Sequence, residues 1–293
     1  MSFRATSRLQ DFFDGSYQIQ RLPNGSDRTA HQYAVQLRHF SRWLGHAAKL
    51  TDLTDASVSA FMREHAKGRE APTANKAYWC LVALWRYAAD LGILKTRPTI
   101  PPLIEPERAP LAWTLDELRR LLRACQEEQG NIDGVLASSW WTGLHWVLWS
   151  TGERRSATMA IETARTDIVR GEVIVPAEVR KGKRRDMVYR LLPQAVEHVS
   201  AIYSLDRQLL FPWPYCPETI YNHYKRILKR AGLPSDRKCK FQRMRRSFAS
   251  HLEANGGNAT EALGHSTRRV TRKSYLDLRI CGGQNPAALL PKL

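Results

Sequence analysis

Residues 96–110, TRPTIPPLIEPERAP, hold five prolines in fifteen positions and show no hydrophobic period. Each proline fixes φ and removes a backbone donor, so neither a helix nor an internal strand can run through this stretch. The segment reads as a linker and divides the chain into a front part, residues 1–95, and a rear part, residues 111–279, followed by an apolar tail at 280–293. Both parts are of ordinary domain size.

The front part reads as all-helical. Tyr33, Leu37, Phe40 and Leu44 recur every three or four residues after Ser26 and Asp27, which predicts a helix over 29–44. Thr54 opens a second helix with Val58, Phe61 and Met62 inward. Pro72 and Thr73 open a third, with Tyr78, Leu81, Trp85, Ala88 and Leu91 inward and Gly92 as its stop.

The rear part mixes helices with a few strands. Thr114 and Glu117 form a capping box ahead of Leu118, Leu121, Leu122 and Cys125. Trp140, Trp141, Leu144, Trp146, Val147, Leu148 and Trp149 are apolar on almost every face, which predicts a buried helix. The tryptophans could instead be a base-stacking platform, but the polar face that a nucleic-acid-lining helix needs is missing. Residues 167–170 and 173–176 read as two strands turned at Gly171, and 187–191 as a third. Between the last two lies Arg180-Lys181-Gly182-Lys183-Arg184-Arg185, a basic turn. Pro193 and Pro217 each open a further helix, the second with Ile220, Tyr221, Tyr224, Ile227 and Leu228 inward and Lys225, Arg226, Lys229 and Arg230 outward. The fold class is mainly α with a small β-sheet.

The formal net charge is +17, with a sequence pI near 10.0. Residues 1–110 carry 15 Lys and Arg against 10 Asp and Glu, and residues 111–293 carry 30 against 18, so both parts are basic. Such an excess favours a polyanion, and duplex DNA fits it. Arg38, Arg42 and Lys76 in front, with Lys183, Arg184, Arg185, Lys225 and Lys229 behind, are the DNA-contact candidates; each alone also suits a solvated surface. No apolar run spans a membrane and no signal peptide opens the chain, so the expected setting is cytoplasmic and DNA-associated, without membrane contact. The five cysteines, at 80, 125, 216, 239 and 281, lack zinc-ligand spacing. Neither a metal nor another cofactor is expected.

The stretch 242–275, QRMRRSFASHLEANGGNATEALGHSTRRVTRKSY, carries the chemistry. Gln242 and Arg245 are one helical turn apart and share a face. Gly256 and Gly257 end that helix, and Asn258 with Glu261 caps the next. Arg presents paired donors that match phosphate oxygens, His can bond the same group, and Tyr has a hydroxyl that can attack phosphorus once the surrounding charge is neutralised. The set implies phosphoryl transfer through a covalent tyrosine.

With Thr151-Gly152-Glu153-Arg154, Lys181 in the basic turn, Arg245 in RRSFASHL, Leu263-Gly264-His265-Ser266 and Tyr275, the chain resembles the tyrosine recombinase (phage integrase) family in motif order. The resemblance covers nearly the whole chain. It implies a helical core-binding (SAM-like) domain, a linker and a mixed α+β catalytic domain that clamp duplex DNA, with strand exchange by a homo-oligomer, a tetramer on paired sites. Arg154 and Arg245 would hold the scissile phosphate, His265 would hydrogen-bond it, Tyr275 would attack to leave a 3′-phosphotyrosine, and Lys181, or failing it Lys183, would protonate the leaving 5′-oxygen. The tail at 280–293 would serve as a contact in trans. Three positions differ from the usual pattern: Gln242 stands where His is usual, Ala157 where an acid is common, and ten residues rather than nine separate His265 from Tyr275. Three other readings compete: a DNA-binding protein of this fold with lost or weakened cleavage, a type IB topoisomerase, and a plain basic helix-turn-helix regulator. The last leaves Arg154, Lys181 and Tyr275 unexplained together.

Overall fold

A computed structural model describes residues 3–23, 25–180 and 185–282. The chain separates into two compact units, residues 1–106 and 107–293. No helix among the described residues is long and apolar enough to cross a membrane.

The first unit is helical throughout. A broken helix comes first: α1 (Leu9–Phe12), a π-helical turn (Phe13–Tyr17) and α2 (Gln18–Arg21). Then follow α3 (Asp27–Leu44), capped by the Ser26 hydroxyl, α4 (Asp55–His65), capped by Thr54, and α5 (Ala71–Asp90) with proline in its first turn. Leu9, Phe12, Phe40, Phe61, Leu81 and Trp85 fill the core between them. Two expectations need correcting. The helices of residues 9–21 lie ahead of the first expected one, and Leu91, expected inward, is 47% exposed because α5 ends at Asp90 and the chain turns out.

Residues 96–105 have no regular structure but pack on their own unit. Trp85 Nε1 donates to Thr96 O, Tyr78 Oη to Ile100 O and Asn75 Nδ2 to Leu103 O. The prolines leave backbone carbonyls without ladder partners, and side chains of α5 satisfy them.

The second unit opens with α6 (Leu115–Gln126), whose capping box is formed: Glu117 N donates to Thr114 Oγ1 at 3.2 Å and Thr114 N to Glu117 Oε2 at 2.8 Å. A small hairpin, β1 (Asn131–Ile132) and β2 (Val135–Leu136), leads into α7 (Ala137–Thr151). Trp140 and Trp141 are fully buried in α7 and pack against Phe211, Trp213, Tyr224 and Phe241, so the tryptophan run is core. After α8 (Arg155–Thr158), an antiparallel sheet forms in the order β3 (Thr166–Asp167), β4 (Glu172–Val175), β5 (Met187–Arg190), with Val173 opposite Tyr189. The expected strand at 167–170 is thus displaced. Residues 168–171 are the turn, because Gly171 takes φ 65° and draws the bend back toward β3.

Helices α9 (Pro193–Ser200) and α10 (Thr219–Arg230) pack on α7 and α6. The chain ends in α11 (Gln242–Ala254), α12 (Ala259–Ala262), α13 (Arg268–Tyr275) and α14 (Leu278–Cys281). A separate small core of Ala249, Ala259, Leu263, Tyr275 and Leu276 binds the last helices to α11. Residues 283–293, most of the apolar tail, lie outside the described residues.

Candidate active site

Helix α7 stops at Gly152, whose φ of 61° favours glycine, and the chain reverses into Glu153 and Arg154. Arg154 is the residue just before α8, with its carbonyl accepting from Ala157 N and Thr158 N. It therefore leaves a rigid turn at the end of a packed helix.

Arg245 sits in the first turns of α11 and is 1% exposed. Its Nη1 donates to Gly152 O at 2.7 Å and its Nη2 to Leu263 O at 3.1 Å, so the turns on either side fix the guanidinium plane. Nη2 also lies 3.2 Å from His265 Nε2. Arg can only donate, so Nε2 is the acceptor; the ring proton is then on Nδ1, which donates to Thr271 Oγ1 at 2.9 Å. Burial, with the Arg245 and Arg154 charges, pushes His265 down to about 4, and this neutral tautomer fits that shift.

Tyr275 ends α13 with 8% exposure. Its ring centre lies 4.6 Å from the His265 ring and 5.4 Å from the Arg245 guanidinium carbon. Burial alone would raise its hydroxyl. The charges of Arg245 and Arg154, with hydrogen bonds from Gln242 and Arg245, outweigh burial and hold it below the usual phenol range. Arg246 secures the end of this helix by donating from Nε to Ser274 O at 3.1 Å, and Ser250 Oγ donates to Tyr275 O. Asp277, two residues on, accepts from Ala112 N at 2.9 Å, so the chain leaving the tyrosine is pinned where the second unit begins.

A buried phenol with a lowered pKa, two guanidinium groups and a neutral imidazole at one point suit charge stabilisation on an anion beside a nucleophilic oxygen. A profile of the phage integrase family matches residues 113–280, more than half of the chain. The chain belongs to the phage integrase family.

Solved integrase and recombinase structures share the fold. The Tn1549 transposon integrase in complex with transposon right end DNA aligns with a TM-score of 0.72 at 14% identity, over 97% of each chain. The XerH site-specific recombinase bound to palindromic difH gives 0.70 at 17% identity, over 91% of this chain and 80% of that one. A lambda integrase dimer bound to a COC′ core site gives 0.68 at 17% identity, over 98% and 80%. A search of curated protein sequences gives no significant match.

Of the integrase-type residues expected from sequence, Arg154, Gln242, Arg245, His265 and Tyr275 meet at this point. Lys181, Lys183 and Arg184 lie outside the described residues. Arg38 and Arg42 are exposed one turn apart on α3, Lys76 is exposed on α5, Lys225 and Lys229 are exposed one turn apart on α10, and Arg185 is exposed beside β5. Arg230 is exposed as expected and also braces α6: it donates to Ala124 O and to Glu128 Oε1. Ala157 is buried in the apolar core. The carboxylate nearest the arginines is Glu153, which the sequence reading left without a role. The signal available was its place inside the Thr-Gly-Glu-Arg run.

Proposed function

We propose that the chain is a site-specific DNA recombinase that cuts and rejoins strands through a 3′-phosphotyrosyl intermediate. The observation that carries this reading is the meeting of three side chains at one point: the Tyr275 ring lies 4.6 Å from the His265 ring and 5.4 Å from the Arg245 guanidinium carbon, and Arg245 reaches His265 at 3.2 Å. Arg154 and Arg245 hold the non-bridging oxygens of the scissile phosphate and stabilise the charge that grows in the transition state; one such donor supplies about 10²- to 10³-fold in rate. Tyr275 Oη attacks phosphorus, its proton passing to solvent. Gln242 bonds the same oxygen but has no basic nitrogen, so the arginines rather than a base make the phenol reactive.

In the free protein His265 Nε2 accepts from Arg245. A phosphate in the cradle takes that donor over, and His265 then faces an anion to which it must donate. Lys181, or Lys183, is the residue assigned to protonate the departing 5′-oxygen. The free 5′-hydroxyl of a partner strand reverses the step, so the phosphodiester energy is kept and no nucleotide is consumed. Residues 1–95 serve as the core-binding domain, 96–110 as the linker and 111–279 as the catalytic domain, with Arg38, Arg42, Lys76, Arg185, Lys225 and Lys229 on the DNA backbone. Strand exchange proceeds in a homotetramer on paired duplex sites, with the tail at 280–293 in trans.

The test is covalent capture. Labelled nicked duplex from the DNA flanking the coding sequence is incubated with the protein and run under denaturing conditions. Wild type should give an SDS-resistant adduct on the 3′-phosphate side that Tyr275→Phe does not. Specific binding with no adduct would leave a non-cleaving DNA-binding protein, and plasmid relaxation by dilute monomer would favour a topoisomerase.

A further inference from the structure

Glu153 is 1% exposed, and its carboxylate lies between groups from three parts of the chain. On Oε1, Arg180 Nε donates at 2.5 Å and Tyr189 Oη at 2.8 Å. On Oε2, Arg154 N donates at 3.0 Å, and Arg245 Nη1 forms an ion pair at 3.6 Å. Burial would raise this carboxyl. The Arg154 amide, Arg245, the Tyr189 hydroxyl and Arg180 hold it down instead, so it is ionised. A buried carboxylate is costly unless both paired and hydrogen-bonded, and this one is both.

The two arginines it joins belong to different elements. Arg245 projects from α11, whereas Arg180 ends the arm that follows β4, and Tyr189 lies on β5. Arg180 also donates to Arg185 O, across the base of the same hairpin. An arginine side chain has several free torsions, and its fork helps a transition state only if it is held in the right plane beforehand.

We propose that Glu153 is a positioning residue: it adds to the hold of Gly152 O and Leu263 O on the Arg245 guanidinium and, through Arg180 and Tyr189, ties the residues at the base of the β4–β5 hairpin to the same point before DNA arrives. This rests on the reading of Arg154 and Arg245 as the phosphate cradle. The opposing account is that Glu153 only offsets positive charge. In that case its removal would tighten DNA binding and leave the cleavage step alone.

Glu153→Gln and Glu153→Asp in the full chain separate the two. Adduct formation is followed at saturating nicked duplex from the flanking DNA, together with the Kd for that duplex. Guanidinium ¹H–¹⁵N spectra are recorded on the same proteins, with Arg245 signals identified as those absent from Arg245→Lys. The Gln variant should form adduct about 10²-fold more slowly, the loss expected of a misplaced reacting group, with Kd within about twofold of wild type. Its Arg245 Nη protons, resolved and slowly exchanging in wild type, should exchange rapidly. The Asp variant keeps the charge but is one methylene short, so it should fall between. Wild-type rate and wild-type Arg245 signals in Glu153→Gln would overturn the proposal. Should that variant not fold, the same pair of results in Glu153→Asp overturns it. A wild type that forms no adduct defeats the cleavage reading instead, and the spectra then decide the positioning role alone.

Discussion

Gly152→Ala tests the local geometry from which Arg154 and Arg245, the two arginines proposed to hold the phosphate, are hung. Gly152 holds φ 61°, and a Cβ built there would lie 2.2 Å from Phe248 Cδ1 and 2.7 Å from Cε1 and Cγ. The left-handed conformation costs about 1–2 kcal/mol for an L-residue, and forcing a methyl into filled space costs about 1–3 kcal/mol more. The second unit should therefore lose roughly 2–5 kcal/mol, the sum of those ranges. Gly256→Ala is the internal control: its φ of +80° carries the same conformational cost, but no atom lies within 4 Å of the added methyl. Urea unfolding followed by tryptophan fluorescence, to which the second unit contributes six of the nine tryptophans, gives both values. Adding Phe248→Ala should cancel the clash in a double-mutant cycle, with a coupling of about 1–3 kcal/mol. Because Gly152 O receives Arg245 Nη1 at 2.7 Å, adduct formation should fall with stability. Equal destabilisation by Gly152→Ala and Gly256→Ala, with no coupling to Phe248, would refute the argument.

Arg245→Lys should lower the adduct rate by about 10²- to 10³-fold, since an ammonium cannot reproduce the fork; a rate within threefold of wild type would count against it. Gln242→Ala removes one of the groups that hold the Tyr275 hydroxyl down; it should slow adduct formation on the order of tenfold, from the worth of a bond to a charged group, and move the pH at which the rate rises upward. His145 and His265 are both pushed down to about 4, by burial first in each case. Their unfolded value is about 6.5, so between these limits the unfolded chain binds more protons and stability rises with pH. It is fully present above the unfolded pKa and is lost as pH falls toward 4; urea midpoints that stay level from pH 7 to 4.5 would contradict this. Phosphate in the cradle should raise His265 above its free-protein value, seen as an upfield-to-downfield titration shift of its ring protons at higher pH in the DNA complex than in the free protein.

The parts of the fold that could be read from sequence are those decided locally. The capping box of Thr114 and Glu117, the all-apolar turns of α7 and the glycine break after α11 each declare themselves within a few residues. The broken helix at residues 9–21 was missed because its apolar set, Leu9, Phe12 and Phe13, is short and is made helical by burial against α3 and α5. The packing of residues 96–105 was missed because prolines announce the loss of regular structure, not the side chains that will cap the carbonyls. Glu153 is the clearest case. Its hydroxyl and guanidinium partners on the hairpin are 36 and 27 residues away, and only the folded chain brings them together. By contrast Gln242, Arg245, His265 and Tyr275 lie within one stretch, and the turn chemistry between them was already visible.

The central claim is that Tyr275 is the atom donor that links protein to DNA, and it is tested most directly by locating the linkage. The captured adduct is digested with nuclease and trypsin and sequenced by mass spectrometry. Cleavage after Lys273 and Arg279 releases the peptide SYLDLR, residues 274–279. The account predicts that this peptide carries a nucleotide 3′-phosphate on Tyr275. A nucleotide on Tyr203, Tyr221 or any residue other than Tyr275 would contradict it.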